Sequence, residues 1–177
     1  MRGKKSEPHR NPDDPPRRRA NKRRGRGTYA NDRPPTLGVV GRESGGLRLI
    51  VCPDTRQATI VPKVEALTGP AVCLYTDGAS AYAPVAEGDT ERTRHTVCHS
   101  KGEWAADHDG DGIREVHCNT IEGIWTGLRN FLRTFRGVHK KYLAQYVAMF
   151  EWSHNVKEVT KGYLRMLMRP GYTFDPT

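Results

Sequence analysis

One apolar repeat constrains the fold of this chain more than any other feature of its sequence. Large apolar side chains recur at the three- and four-residue spacing of a single helix face. They are Ile121, Ile124, Trp125, Leu128, Phe131, Leu132 and Phe135. The repeat predicts a long amphipathic helix that begins at Asn119 and ends near Gly137. A second helix is predicted from about Lys140 to Asn155, and a weaker one over residues 158–168.

Short β-rich runs separated by turn residues precede the long helix. The predicted elements are strands over 36–43 and 46–53, a helix over 56–67, a strand over 71–76, a short helix over 79–85 and a strand over 94–99. The unbroken apolar run at 71–76 is typical of a strand covered on both faces. This order predicts an α/β fold whose sheet has an antiparallel edge, with a polar loop leading to Cys118.

Positive charge is concentrated near the N-terminus. The 177-residue chain has 29 Lys+Arg and 20 Asp+Glu, and residues 1–35 alone hold 12 and 4 of these. That segment has six prolines and almost no apolar side chains, so it cannot bury enough surface to offset its ordering entropy. We expect a disordered basic arm over 1–35, a folded domain over 36–168 and a tail over 169–177.

Nucleic acid is the expected partner of the arm, because neutralising phosphates releases counterions. The alternative is a solvated tail that only aids solubility. The cations expected to contact nucleic acid are Arg17, Arg18, Arg19, Lys22, Arg23, Arg24 and Arg26.

Composition argues against several classes of protein. The longest apolar run, residues 71–75, is far too short to span a membrane. The four cysteines include no CxxC pair, which argues against a zinc ribbon or a disulfide scaffold. We therefore expect a reduced, cytoplasmic protein with no membrane contact.

Two carboxylates stand at positions typical of a catalytic site. Asp77 follows a predicted strand, where open α/β sheets place their sites, although an Asx turn before Gly78 would also explain it. Glu122 lies at the edge of the apolar helix face and could instead complete a capping box with Asn119. Three arginines continue along that edge: Arg129, Arg133 and Arg136. The pattern fits a metal site beside a phosphate track and a solvated helix flank equally well.

Two other groups of potential ligands are not expected to bind metal. Residues 107–112 resemble the opening of an EF-hand loop, but its twelfth position is Cys118 and no helix precedes it. A turn-rich surface loop is expected there. The histidines and cysteines between residues 95 and 118 lack zinc-ligand spacing on a recognisable element.

Several segments, in order along the chain, resemble the ISXO2-like catalytic domain of bacterial insertion-sequence transposases. They are GRGT at 25–28, VVG at 39–41, YTD at 75–77, AY at 81–82, VCHSKGE at 97–103 and HCNTIEGIW at 117–125. The resemblance extends from about residue 3 to residue 168, and the block at 117–125 is its most specific part. It implies a ribonuclease-H-like mixed sheet flanked by helices and a metal-dependent DNA strand-transfer reaction.

The resemblance also implies roles for individual residues. Asp77 corresponds to the second catalytic carboxylate of the family and Glu122 to the third, as ligands of two Mg²⁺ (or Mn²⁺) ions. Arg129 stands where the family places a basic residue, and Arg133 and Arg136 are expected to contact DNA. The implied partners are insertion-sequence ends, target DNA and further copies of the chain on DNA.

The family's first aspartate lies on an opening strand, and this sequence begins about where that strand would end. The expectation is therefore an N-terminally truncated domain, missing its first strand, that does not transpose DNA by itself. A non-catalytic nucleic-acid-binding remnant is the first alternative, and a small ribonuclease-H-like nuclease is the second.

Overall fold

The computed structural model describes residues 27–87, 91–157 and 159–167. The arm cations between Arg17 and Arg26 lie outside the described residues. The elements are β1 (Thr36–Val40), β2 (Leu47–Val51), α1 (Gln57–Leu67), β3 (Cys73–Asp77), a 3₁₀ helix (Ser80–Ala86), β4 (Thr93–Val97), a second 3₁₀ helix (His99–Lys101), β5 (Ala105–Ala106), β6 (Val116–His117), α2 (Asn119–Thr134), α3 (Lys140–Asn155) and α4 (Lys161–Leu167). No helix in these ranges is both long enough and apolar enough to cross a membrane.

The α/β composition and the two long helices confirm the predictions from the sequence. Helix α2 buries Ile124 and Leu128 of its apolar face, and α3 buries Val147 in the same cluster. That cluster also contains Leu47 and Leu49 of β2. The apolar repeat therefore produces the helix that it predicts, packed on the hairpin.

The strands differ from the prediction in their pairing. Within the described residues they form three two-stranded sheets rather than one: β1 with β2 (antiparallel), β3 with β4 (parallel) and β5 with β6 (antiparallel). Strand β3 is not covered on both faces as predicted, because Cys73 and Asp77 at its ends are exposed. Strands β5 and β6, two residues each, lie in the segment predicted to be a loop.

Helices α1 and α2 cover opposite faces of the hairpin. Leu37 of β1 packs with Ile60 and Val64 of α1. A Cβ atom on the neighbouring Gly38 would lie 2.6 Å from the Trp125 ring of α2. Because successive strand residues point to opposite faces, the two helices lie on either side, and the missing side chain at Gly38 lets α2 come this close.

Helix α3 supplies hydrogen bonds to the outer edge of β2. The Asn155 amide accepts from the Leu47 backbone N–H at 2.8 Å and donates to the Leu47 carbonyl at 2.8 Å. The Glu151 carboxylate accepts from the Leu49 N–H at 2.6 Å. Four helical residues rise about 6 Å and two strand residues about 6.8 Å. The two side chains therefore match the two strand positions whose backbone groups point outward.

The last part of the predicted arm, residues 27–35, contacts the core. Tyr29 donates its backbone N–H to the Pro53 carbonyl at 2.7 Å. The Lys140 ammonium group lies 2.8 Å from the Asp32 carboxylate and 4.7 Å from the centre of the Tyr29 ring. These residues before β1 are therefore in contact with the folded domain.

Replacing Asn155 with alanine should lower the free energy of unfolding by about 1–3 kcal/mol, because a backbone donor and acceptor at Leu47 are left without a partner. Urea denaturation measures this change. The matched control is Ser153→Ala on the same helix, where the hydroxyl bonds only to Phe150 within α3. A destabilisation by Ser153→Ala as large as that by Asn155→Ala would contradict the role of Asn155 at the strand edge.

Candidate active site

A cleft of about 1300 Å³ lies between β1 and β3, lined by residues 37–40 of β1 and by every residue of β3. We call it the interstrand cleft. Val64 and Leu67 of α1 line it on one side of the hairpin, and Ile121 and Trp125 of α2 line it on the other. Asp77 and Glu122 both line this cleft. The fold thus places the two predicted carboxylates at one cavity.

Asp77 ends β3 and is exposed. One of its carboxylate oxygens accepts the backbone N–H of Ala79 at 3.2 Å, which is the Asx-turn contact considered from the sequence. The Arg94 guanidinium donates to the Asp77 carbonyl at 3.1 Å and to the Thr76 hydroxyl at 2.8 Å. Arg94 thereby fixes the backbone of Asp77 without engaging its carboxylate.

Glu122 occupies the first turn of α2, where a negative charge is favourable at the helix N-terminus. The capping box considered from the sequence does not form: Cys118 is the N-cap, and its side chain makes no cap hydrogen bond. Instead of turning back to Asn119, the Glu122 carboxylate lies 3.4 Å from Nδ1 of His99. A contact with His99, which is distant in the sequence, therefore replaces the local capping contact with Asn119.

The charges of both carboxylates affect the pKa of the Cys118 thiol. Burial raises the pKa of its thiol, and the charges of Asp77 and Glu122 raise it further, while Arg42 opposes them. The two acids are 45 residues apart in the sequence. In the register of β3 and β4, Asp77 pairs with Val97, two residues before His99, whose ring lies against the Glu122 carboxylate.

The three arginines after Glu122 are exposed on α2 and just beyond it. Arg129 lies 3.4 Å from the Thr126 hydroxyl, and Arg133 donates to the Asn130 side chain at 3.0 Å. Arg136 follows the helix end with a positive φ of 54°. Within the described part of the chain, none of the three forms an ion pair with a carboxylate. Their charges are available to an external anion.

Two positioning residues were missed from the sequence, Arg94 and Arg42. The Arg42 guanidinium lies 3.7 Å from the Tyr75 ring centre and donates to the His117 carbonyl at 2.8 Å. Arg42 thus ties β1 to β3 and to the segment before α2. A single arginine in a short polar run carries no signal of such a role until the strand neighbours are known.

The segment that resembles an EF-hand opening is stabilised by hydrogen bonds between one of its carboxylates and its own backbone N–H groups. Asp107 accepts the N–H groups of Gly110 and Gly112 at 2.7 and 2.8 Å, and these bonds lower the pKa of its carboxyl. Asp107, Asp109 and Glu115 have oxygens within 4.8 Å of one another. Among the described residues, this is the one group of three potential ligands so close together.

Comparisons with known proteins agree with the resemblance in the sequence. A family model described as "ISXO2-like transposase domain" matches residues 9–155. The chain is 34% identical over 144 residues to a Halobacterium salinarum protein described as "Uncharacterized protein in transposable element ISH50", covering 81% of this chain and 46% of the relative. It is 24% identical over 110 residues to a Haemophilus influenzae "Uncharacterized transposase-like protein", covering 62% of this chain and 81% of the relative.

The chain therefore spans about half the length of the Halobacterium protein. No solved structure matches it.

The raised pKa of Cys118 predicts a loss of stability in alkali. The folded chain holds the thiol proton more tightly than the unfolded chain. This contribution to stability is complete below the unfolded-state pKa of about 8.5 and is lost as the pH rises through the folded-state value. The free energy of unfolding should fall above about pH 8.5, and less steeply in Cys118→Ala. Urea denaturation across this range tests it, with the exposed Cys73→Ala as control. If the free energy of unfolding falls equally steeply with pH in the unmodified chain and in both variants, Cys118 is not the source of the pH dependence.

Proposed function

Because the chain belongs to the ISXO2-like transposase family, we propose that it acts on insertion-sequence DNA and that Asp77 and Glu122 are ligands of Mg²⁺ or Mn²⁺. The observation that carries this proposal is that both carboxylates line the interstrand cleft, with the segment from Val97 to His99 beside each of them. The proposed place of action is the bacterial or archaeal cytoplasm, where the DNA is.

The chemistry of the donor groups fits a hard divalent cation. Carboxylate oxygens are the ligands that Mg²⁺ prefers. Both carboxylates are accessible to a cation. The Glu122 side chain is 49% exposed, and Asp77 is an exposed residue at the end of β3. Burial raises the pKa of the Cys118 thiol, which disfavours the thiolate form that acts as a metal ligand. His99 orients the Glu122 carboxylate from one side and leaves the other free.

Metal ions bound here would activate a water or 3′-hydroxyl for attack on a phosphate and stabilise the leaving oxygen. The chain's own residues position the substrate. Arg129 lies two helical turns beyond Glu122 and would hold a DNA phosphate. Arg133 and Arg136 extend this basic track, and the arm cations between Arg17 and Arg26 would add sequence-independent contacts.

A ribonuclease-H-like fold is part of this proposal. The order of an antiparallel hairpin, a helix, a parallel strand pair and further helices supports it, as do the helices on both faces of the hairpin. We also propose, from the resemblance to this family, that several copies of the chain assemble on DNA.

The alternative is a chain that grips DNA without cutting it. Three carboxylates usually hold the metals in this chemistry, and the resemblance assigns two of the described residues, Asp77 and Glu122, to that role. Losing one ligand removes charge neutralisation and positioning together, and so lowers the rate by orders of magnitude. We therefore propose that this chain by itself binds DNA and does not complete strand transfer.

Removing either carboxylate should weaken divalent-metal binding. Asp77→Asn and Glu122→Gln are each expected to raise the dissociation constant for Mn²⁺ at least about tenfold, because each deletes one anionic ligand. Isothermal titration calorimetry with Mn²⁺ measures the change. Asp109→Asn, in the acidic loop, is the matched control and should leave this site unchanged. If Asp109→Asn alone abolishes binding, the metal belongs to the loop and the assignment of Asp77 and Glu122 fails.

The DNA proposal predicts binding that depends on salt and occurs without strand joining. Replacing the seven arm cations with glutamine should flatten the slope of log affinity against log salt by about 0.9 for each phosphate that the arm no longer neutralises. Arg129→Gln, Arg133→Gln and Arg136→Gln together should flatten it as well. Fluorescence polarisation with a labelled duplex gives both slopes.

The control is Arg48→Gln, whose guanidinium is already bonded to Glu151 and should not affect the slope. An unchanged slope in the arm variant would make the arm a passive tail. Mg²⁺-dependent joining of insertion-sequence ends that Asp77→Ala abolishes would overturn the proposal that the chain does not complete transfer.

A further inference from the structure

Trp104 is a largely exposed aromatic residue, and it lies beside the candidate site. Its relative exposure is 62%, and it directly precedes β5. Single exposed apolar side chains are ordinary on protein surfaces, so the exposure alone assigns no role. The surroundings of the ring are what distinguish it.

Two features place Trp104 at the start of α2. Its ring centre lies 4.9 Å from that of His99, and Nδ1 of His99 lies 3.4 Å from the Glu122 carboxylate. The antiparallel pairing of β5 with β6 brings Trp104, the residue before β5, level with Cys118, the residue after β6. A single side chain, that of His99, therefore separates the indole ring from a proposed metal ligand.

The turn that carries Trp104 is fixed by its own hydrogen bonds. The Cys98 carbonyl accepts the N–H groups of Lys101 and Glu103 at 2.9 and 3.2 Å. The Cys98 N–H donates to the Glu103 carboxylate at 2.9 Å, and Gly102 has the positive φ of 75° that glycine adopts without strain. The ring is therefore presented from a fixed backbone, which lowers the entropy cost of ordering a ligand on it.

The chemistry around the ring favours a nucleotide over an apolar protein surface. The cores of protein interfaces are depleted in charged residues, whereas the exposed Lys101 and Glu103 stand in the turn next to Trp104. An aromatic side chain stacks on a base of any identity, because every base has a π-face. Lys101 adds a cation for the phosphate of the same strand. Trp104 thus combines a stacking surface with a nearby phosphate contact.

We propose that Trp104 is a stacking platform for one unpaired base of the DNA strand whose phosphate lies at Asp77 and Glu122. Bases inside a duplex are covered on both faces by their neighbours, so only a base that has left the stack can meet the indole ring. This inference rests on the proposed DNA function and adds the state of the substrate to it. The strand next to the reacting phosphate is unpaired, and Trp104 holds its base without taking part in bond making or breaking.

A forked duplex tests the stacking contact. The probe is a fluorescein-labelled duplex that ends in two short unpaired adenine arms, and the control fork has abasic nucleotides in place of those adenines. Both forks have the same phosphates, so they differ only in the bases that can stack. Fluorescence polarisation with the full chain and Mg²⁺ should show at least about fivefold tighter binding of the fork that has bases, which is the lower end of the effect of stacking one base on an aromatic side chain.

Variants assign this preference to one ring. Trp104→Ala should bind both forks with the affinity that the unaltered chain has for the abasic fork, and Trp104→Phe should keep part of the preference. The matched control is Trp152→Ala, which removes another exposed tryptophan, on α3, and should keep the preference in full.

The outcomes separate this inference from the proposed function. Equal binding of both forks by the unaltered chain would overturn the inference, as would a preference that Trp104→Ala leaves intact, and DNA binding would stand in either case. A loss of affinity for both forks alike in Trp104→Ala would indicate a structural role and would also overturn it. Absence of binding to any DNA would refute the proposed function and this inference together.

Discussion

The need of strand backbones for hydrogen-bond partners determines most of what is distinctive in this structure. A hairpin has two outer edges, and the chain satisfies one of them with two side chains four residues apart on α3. Burial of Val147 beside Leu47 and Leu49 holds α3 at the distance that these bonds require. The other edge borders the cleft that contains the candidate site. Edge pairing and site geometry are therefore two aspects of one arrangement.

This arrangement explains the electrostatics of the site. Among the described residues, β3 pairs with β4 alone, and Asp77 at its end is exposed. Helix α2 begins directly after β6, and its first turn presents Glu122 to the same cleft. Cys118 connects them as a buried group that experiences both charges. Arg94 and Arg42 hold the surrounding backbone, which leaves the carboxylates themselves open to a cation.

Features of the fold that depend on local periodicity could be predicted from the sequence. Helices α2 and α3 match the prediction because their apolar spacing is a property of a few consecutive turns. Features that depend on distant residues could not. The capping box, one of the two interpretations of Glu122, does not form, and Glu122 lies beside His99 instead. Coverage of both faces of β3 required other elements to pack along the whole strand, and Cys73 and Asp77 are exposed. Contacts of Tyr29 and Asp32 with Lys140 join two residues of the predicted arm to α3, and no local pattern reveals them. Convergence of Asp77 and Glu122 at one cavity was expected from the resemblance, whereas their catalytic roles stay a proposal.

The spacing of Glu151 and Asn155 has a consequence for how this chain tolerates changes in length. A residue inserted between them would turn one side chain about 100° around the helix axis relative to the other, so that only one could still reach β2. The loop at residues 107–112, whose turns are stabilised by its own aspartates, has no such geometric requirement. Natural variation in length should therefore accumulate in that loop and be absent from the last two turns of α3.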